Sequence, residues 1–199
     1  PFGNRVVHFA VHHPHFSLTV VSHAEVGLDT GELPTGEVPW QHVAATAAAA
    51  RGDLAADVAP FLAHTAQTPP LAAVGDLTGD IFTEGRGVIG AVQHLCNRIF
   101  TGFQFDASFS DLSTPMHAVL AERRGVCQDF AHVSCAALRS VGLPARYVSG
   151  YILTHPPAGQ PRMIGADASH AWVSVFCPQL GWIDFDPTNS CLVQSEHIT

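Results

Sequence analysis

The sequence predicts an α+β chain: a helix with a cysteine on its first turn, packed against an antiparallel sheet, with a β segment ahead of both. Three observations carry this. From Gly125 onward, apolar residues fall at Val126, Phe130, Val133, Ala137 and Val141, the spacing of one helical stripe. After Pro144 the period changes from 3.6 to 2, across runs separated by short turns. Near the start, residues 4–28 are rich in Val, Phe, His and Thr on either side of His13-Pro14-His15.

The totals bound the answer. At 199 residues, 47% hydrophobic and 13% charged, the chain is globular and about one domain long. A net charge of −8 with no basic cluster argues against nucleic acid and anionic membranes as partners. No apolar run approaches the ~20 residues of a membrane span, and no basic, apolar-cored leader opens the chain. A chain that begins at Pro1 is expected to be a fragment or a processed product. The five cysteines, Cys96, Cys127, Cys135, Cys177 and Cys191, are odd in number, irregularly spaced and free of any CxxC. That usage suggests neither a disulfide framework nor a zinc knuckle, and it fits a reducing, cytoplasmic setting. Four of them read as small buried hydrophobes.

In chain order, Asn4–His12 and Phe16–Val26 read as strands joined by a turn. His8, His12, His13, His15 and His23 cluster here, but their spacing matches no usual zinc pattern, so no metal is expected. Residues 28–39 read as a linker, Trp40–Ala50 as an alanine-rich helix, and Asp53–Ala66 as a second helix ended by Pro69-Pro70. Pro69–Asp80 reads as irregular, and Asp76–Asp80 carries too few oxygen ligands for a calcium loop. Gly87–Phe100 is helical, Phe103–Asp106 extended, and Ser113–Glu122 helical with Pro115 near its start. The cysteine helix stops at Ser140-Val-Gly-Leu-Pro144. Strands then run over Ala145–Leu153, His170–Phe176 and Trp182–Phe185, with a Pro/Gly-rich loop over Thr154–Ala166 and a break at Asp186-Pro-Thr-Asn189.

Cys127 stands out by position. On a first helical turn, unpaired N–H groups and the positive end of the dipole favour a thiolate, and Arg123 and Arg124 add positive charge upstream. A cysteine nucleophile needs a base, and the base needs an orienting group. His132 lies about 140° around the same helix and is badly placed. His170 opens a strand and Asp186 ends the next, so a hairpin would set them side by side, facing the cysteine helix. This is the Cys-His-Asp arrangement of thiol acyl transfer. The plain alternative is that reactive residue types fall together by chance in a chain with 13 histidines.

GVCQDFAH, then GLPARYVSGY, then SHAWVSVF and GWIDFDPTN, in that order, resemble the core of bacterial transglutaminase-like cysteine proteases, within the transglutaminase/papain-like superfamily. The resemblance runs from about Ile89 to Asn189. It implies a papain/transglutaminase-like core with Cys127 as nucleophile, His170 as general base and acid, and Asp186 as the orienting carboxylate. Asp184 is the nearest competitor to Asp186, but the family's acid immediately precedes Pro-Thr. The resemblance also implies domains: 1–30 as the end of a preceding β domain, 31–85 as linker and helices, 86–199 as a catalytic core cut short at its C-terminus. Where the family often has Phe-x-Tyr, this chain has Phe103-Gln-Phe105, read as a core aromatic.

The expected chemistry is hydrolysis of peptide or other amide bonds through a thioester, on a peptide or protein substrate and with no cofactor. A lysine amine as acceptor would make it a transglutaminase instead, and a silent binding or assembly module of the same fold is the third reading. Trp172 and Trp182 are expected to pack in the core or cleft wall, and Arg146 and Tyr147 to be structural.

Overall fold

The structure is a computed structural model that describes residues 7–28, 31, 38–111, 113–153, 159, 164 and 169–199. Its helices are α1 (Trp40–Ala49), α2 (Gly52–Val58), α3 (Ala72–Thr78), α4 (Val88–Gly102), α5 (Met116–Glu122) and α6 (Cys127–Ser140). Its strands are β1 (Gln104–Phe105), β2 (Arg124–Gly125), β3 (Ala145–Ile152), β4 (His170–Cys177), β5 (Gly181–Asp186), β6 (Cys191–Leu192) and β7 (His197–Ile198). Strands β3 to β7 form one sheet in the order β6-β5-β4-β3-β7, with every pair antiparallel. The expected helix-on-antiparallel-sheet arrangement is what the chain adopts.

Helix α6 runs through the middle. Its stripe of Phe130, Val133 and Ala137 is buried, but so are Ala131, Ser134, Cys135, Ala136 and Leu138, which the stripe leaves out. The helix is covered on one side by β3 and β4 and on others by α3, α4 and α5. Ala145, Val173, Val175, Ile183 and Phe185 of the sheet join Leu95 and Ile99 of α4 in the same core. Small residues at 131, 136 and 137 let neighbouring elements approach the helix closely. Gly142, at φ +80°, ends it where other residues would be strained.

On the opposite sheet face, Phe176 and Trp182 pack with Val58 and with Leu54 and Leu62 around α2. Arg146 stacks its guanidinium 4.2 Å from the Trp182 ring centroid, and Tyr147 stacks on His132 at 4.9 Å. Phe103 and Phe105 meet Phe130 edge-on, at 5.8 and 6.4 Å, as core aromatics.

Several local expectations need correction. Among the described residues, 7–28 carry no strand pairing and are exposed, unlike the strands read over Asn4–His12 and Phe16–Val26; residues 4–6 lie outside the described set. A two-stranded hairpin is marginal alone, and Phe9, Phe16 and Val20 have no apolar surface to cover them. Pro69–Asp80 is not irregular: α3 forms there because Val74 and Leu77 have a core to enter. The second helix stops at Val58 and gives way to a 3-10 turn over Ala59–Phe61, where Pro60 lacks the N–H that a longer helix needs. Strands β2, β6 and β7 were not expected; each is two residues long, too short for a periodic signal. The loop at Thr154–Ala166 lies outside the described residues apart from 159 and 164.

Gly150 decides how β7 joins the sheet. A Cβ there would sit 2.0 Å from the Ile198 carbonyl oxygen and 2.6 Å from Cη2 of Trp172. Both neighbours are backbone or buried ring and cannot give way cheaply. Gly150→Ala should therefore push β7 off β3 and destabilise the protein by about 1–3 kcal/mol, read as a lower midpoint in urea. A midpoint equal to wild type would show that β7 does not pack as described.

Candidate active site

Strand register places the site. Val173 pairs with Phe185 and Ser174 with Asp184, so His170 and Asp186 fall at the same end of the β4–β5 hairpin and on one face. Their side chains meet there: His170 Nε2 lies 2.8 Å from Asp186 Oδ2, and neither side chain is exposed. A carboxylate only accepts, so the imidazole proton in this bond is on Nε2. Nδ1 is then the ring nitrogen left open; it is buried and has no hydrogen-bond partner among the described residues.

Asp186 is heavily supplied with donors. Oδ2 also accepts from Asn189 Nδ2 at 2.7 Å and from His197 Nε2 at 3.0 Å. Oδ1 accepts the backbone N–H groups of Thr188 at 2.8 Å and Asn189 at 3.2 Å. The turn after β5 therefore folds back on its own first residue. Burial works against the charge, but the hydrogen bonds from His170 and His197 outweigh it and hold the carboxyl well below the usual range. The same Asn189 side chain bonds the backbone of Ile164, tying that part of the preceding loop to the site.

For His170, burial opposes the charged form, yet the Asp186 hydrogen bond and then the neighbouring Cys127 push its pKa up from 6.5 to about 9. Cys127 is the first residue of α6, as expected, and is partly exposed. Its neighbours fix the start of that helix. Asp129 Oδ2 accepts from the Val126 N–H at 2.8 Å and from Ser110 Oγ at 2.5 Å, so one carboxylate caps the helix and ties it to the preceding loop. The close fit requires Gly125, where a Cβ would lie 2.7 Å from Asp129 Oδ2. The N–H groups of Cys127 and Gln128, on the first turn, have no intrahelical acceptor.

The other candidates separate cleanly. Asp184 accepts from Trp172 Nε1 at 3.0 Å and from Ser174 Oγ, so its carboxylate is committed within the sheet and away from His170. Trp172 is fully buried, beneath the His170 ring. Arg124 does not stand as free charge beside Cys127: it pairs with Asp106 and lies over Phe109. Burial pushes the thiols of Cys96 and Cys135 up, the latter to about 12, and Cys191 likewise to about 12. His197 was not singled out from sequence, because it lies beyond the DPTN break with no periodic pattern around it. Its only clue is that it is the one histidine after Asp186.

Ligand atoms of His170, Asp186 and His197 lie within 4.8 Å of one another, a spacing compatible with an ion. An ion there would need both Nε2 lone pairs, which the hydrogen bonds to Asp186 fill with protons.

Comparison with known proteins agrees with this architecture. Residues 76–187 match the family model described as the transglutaminase-like superfamily. An uncharacterised protein of Mycobacterium tuberculosis is 38% identical over an alignment of 208 positions, covering 99% of this chain and 64% of that protein. The chain thus spans less than two thirds of that relative's length. A protein-glutamine gamma-glutamyltransferase of Pseudomonas aeruginosa is 39% identical over 67 residues, 33% of this chain and 10% of that protein. Among solved structures, a candidate cysteine protease from Cytophaga hutchinsonii superposes with a TM-score of 0.57 at 25% identity, over 73% of this chain and 48% of that one.

The His170 shift has a consequence for stability. A folded pKa of about 9 against 6.5 means the native state holds the extra proton more tightly. The resulting stabilisation is complete below pH 6.5 and is lost as pH rises through about 9. For Asp186 the sign is opposite: its contribution stands above the ordinary carboxylate value of 3.8 and fades as pH falls below it. In urea titrations, the stability difference between wild type and His170→Asn should therefore shrink between pH 6.5 and 9. A difference constant across that window would mean that His170 is not held protonated.

Proposed function

The chain belongs to the transglutaminase-like superfamily, and on that premise we propose that it is a thiol-dependent acyl-transfer enzyme acting on peptide or other amide bonds. Cys127 is the nucleophile, His170 the general base and acid, and Asp186 the group that orients His170. The observation that carries the reading is the 2.8 Å contact between His170 Nε2 and the Asp186 carboxylate. With Nε2–H held by Asp186, Nδ1 is the nitrogen that can exchange a proton with the Cys127 thiol.

The cycle follows from the atoms. At neutral pH the proton shared by the pair sits on His170 Nδ1, and the Cys127 thiolate Sγ forms a bond to the substrate carbonyl carbon. The carbonyl oxygen becomes an oxyanion at the start of α6, where the Cys127 and Gln128 N–H groups are free to stabilise it; one such donor is worth about 3–4 kcal/mol. The C–N bond then breaks, and His170 Nδ1 returns its proton to the departing amine, leaving a thioester on Cys127. Water, deprotonated by His170, cleaves that thioester and releases the acid, which restores the Cys127 thiolate beside protonated His170. Asp186 stays ionised throughout, because its donors hold the charge whether or not His170 carries its second proton.

A second reading is favoured by the similarity to the Pseudomonas aeruginosa gamma-glutamyltransferase. An amine in place of water would attack the same thioester and yield an isopeptide bond.

The test starts without a substrate. Iodoacetate, an anion, alkylates fastest when Cys127 is a thiolate beside a protonated imidazole, and mass spectrometry of the Cys127 peptide reads that site alone. Cys127 should alkylate well above the rate of a free thiol at neutral pH, and His170→Ala should remove the excess. An unchanged rate in His170→Ala would sink the enzyme reading. With a glutamine-containing peptide, His170→Ala should lower kcat/KM by about 10²–10⁴-fold, and adding a primary amine separates transfer from hydrolysis by the mass of the product.

A further inference from the structure

We infer that His197 is a fourth member of the site, a positioning residue that shares the Asp186 carboxylate with His170 and so sets how that imidazole is held against Cys127. The inference rests on the thiol-enzyme reading above and adds a residue that neither the motifs nor the family match, which ends at residue 187, includes.

His197 is 4% exposed, and its one side-chain hydrogen bond among the described residues is the 3.0 Å contact from Nε2 to Asp186 Oδ2. Its Nδ1 is buried without a hydrogen-bond partner among the described residues. A histidine buried for stability alone would more economically bond a backbone carbonyl; this one spends its donor on the oxygen that also holds His170. The surroundings fix that geometry. The His197 ring stands edge-on to Trp172 at 5.2 Å and 79°, while the His170 ring stacks on Trp172 at 6.2 Å and 30°. One tryptophan therefore braces both imidazoles. The backbone of β7 is held by its pairing with β3 at Ile152 and by the Leu153 N–H to the Glu196 carbonyl at 2.8 Å. Gly150 leaves the space that this pairing needs.

Two imidazoles on one carboxylate oxygen divide its hydrogen-bonding capacity. Each donor withdraws charge from Oδ2 and weakens what remains for the other. Removing the His197 donor should leave more charge on Oδ2 for His170, tightening its hold on the proton. The sign is the same whether His197 is neutral or charged. The other ionisable groups around the pair do not reverse it. Cys127 from α6 faces His170, while Cys96 from α4 and Cys191 from β6 face Asp186 as thiols that burial keeps neutral; Glu196 acts on Cys191.

The experiment compares His197→Met, which keeps length but has no donor, with His197→Gln, which restores an N–H at the Nε2 position. The readout is the pH dependence of Cys127 alkylation by iodoacetate, whose fall at alkaline pH marks loss of the His170 proton. His197→Met should move that fall upward by roughly half a pH unit or more, and His197→Gln should return it towards wild type. A folded His197→Met with the wild-type profile, or with a downward shift, overturns the inference. His170→Asn separates the two claims. If the alkaline fall persists without His170, the Cys–His pairing itself fails, whatever His197 does. If His197→Met does not fold, nitrogen-15 NMR of the unaltered protein decides: a proton on His197 Nε2 at every pH where Cys127 reacts supports the inference, and a bare Nε2 refutes it.

Discussion

A carboxylate with no exposed surface has to be surrounded by donors or it cannot stay charged, and Asp186 is the point from which the rest of the site is arranged. Its donors come from three places: the first residue of β4, the turn immediately after β5, and the edge strand β7. Each of those elements is held elsewhere by ordinary means, through strand pairing, a tight turn and the space left at Gly150. The ion is therefore paid for by hydrogen bonds, while its position is set by the sheet. That division explains why a charged group can sit in the interior beside His170.

The cysteine end is built on different physics. Cys127 needs a helix that begins in one defined place, and Asp129 supplies this by taking the Val126 N–H and the Ser110 hydroxyl onto one oxygen. Gly125 is the consequence of that fit. The three thiols buried in the core, Cys96, Cys135 and Cys177, have no comparable setting. Burial makes Cys96 and Cys135 poorer acids, whereas Cys127 is set apart by its location on a helix and its contact with His170. The positive charge expected from Arg124 is not part of this, because Asp106 absorbs it.

Much of this was legible in the chain. The stripe through Phe130, Val133 and Ala137 fixes the helix and its buried side, and strand alternation puts His170 and Asp186 on one face of a hairpin. Alternation also puts Asp184 on that face, so it could not choose between the two aspartates; the resemblance points to the one before Pro-Thr, and the side-chain contacts of Trp172 and Ser174 occupy the other. His197 was invisible because β7 is two residues long and its pairing is decided by Gly150, more than forty positions away. Helix α3 was missed because Ala72–Thr78 has weak helix propensity and forms to bury Val74 and Leu77, a tertiary effect. The strands read near the start show the opposite failure: residues 7–28 have a good β composition and, among the described residues, nothing to pair or pack on.

The central claim is that Asp186 holds His170 by Nε2–H and leaves Nδ1 to serve Cys127. Nitrogen-15 NMR of His170 across a pH titration tests it directly. The account predicts a signal from Nε2 that stays protonated throughout, with the second proton leaving Nδ1 near pH 9. A neutral form carrying its proton on Nδ1, or titration at the ordinary value of 6.5, would contradict it.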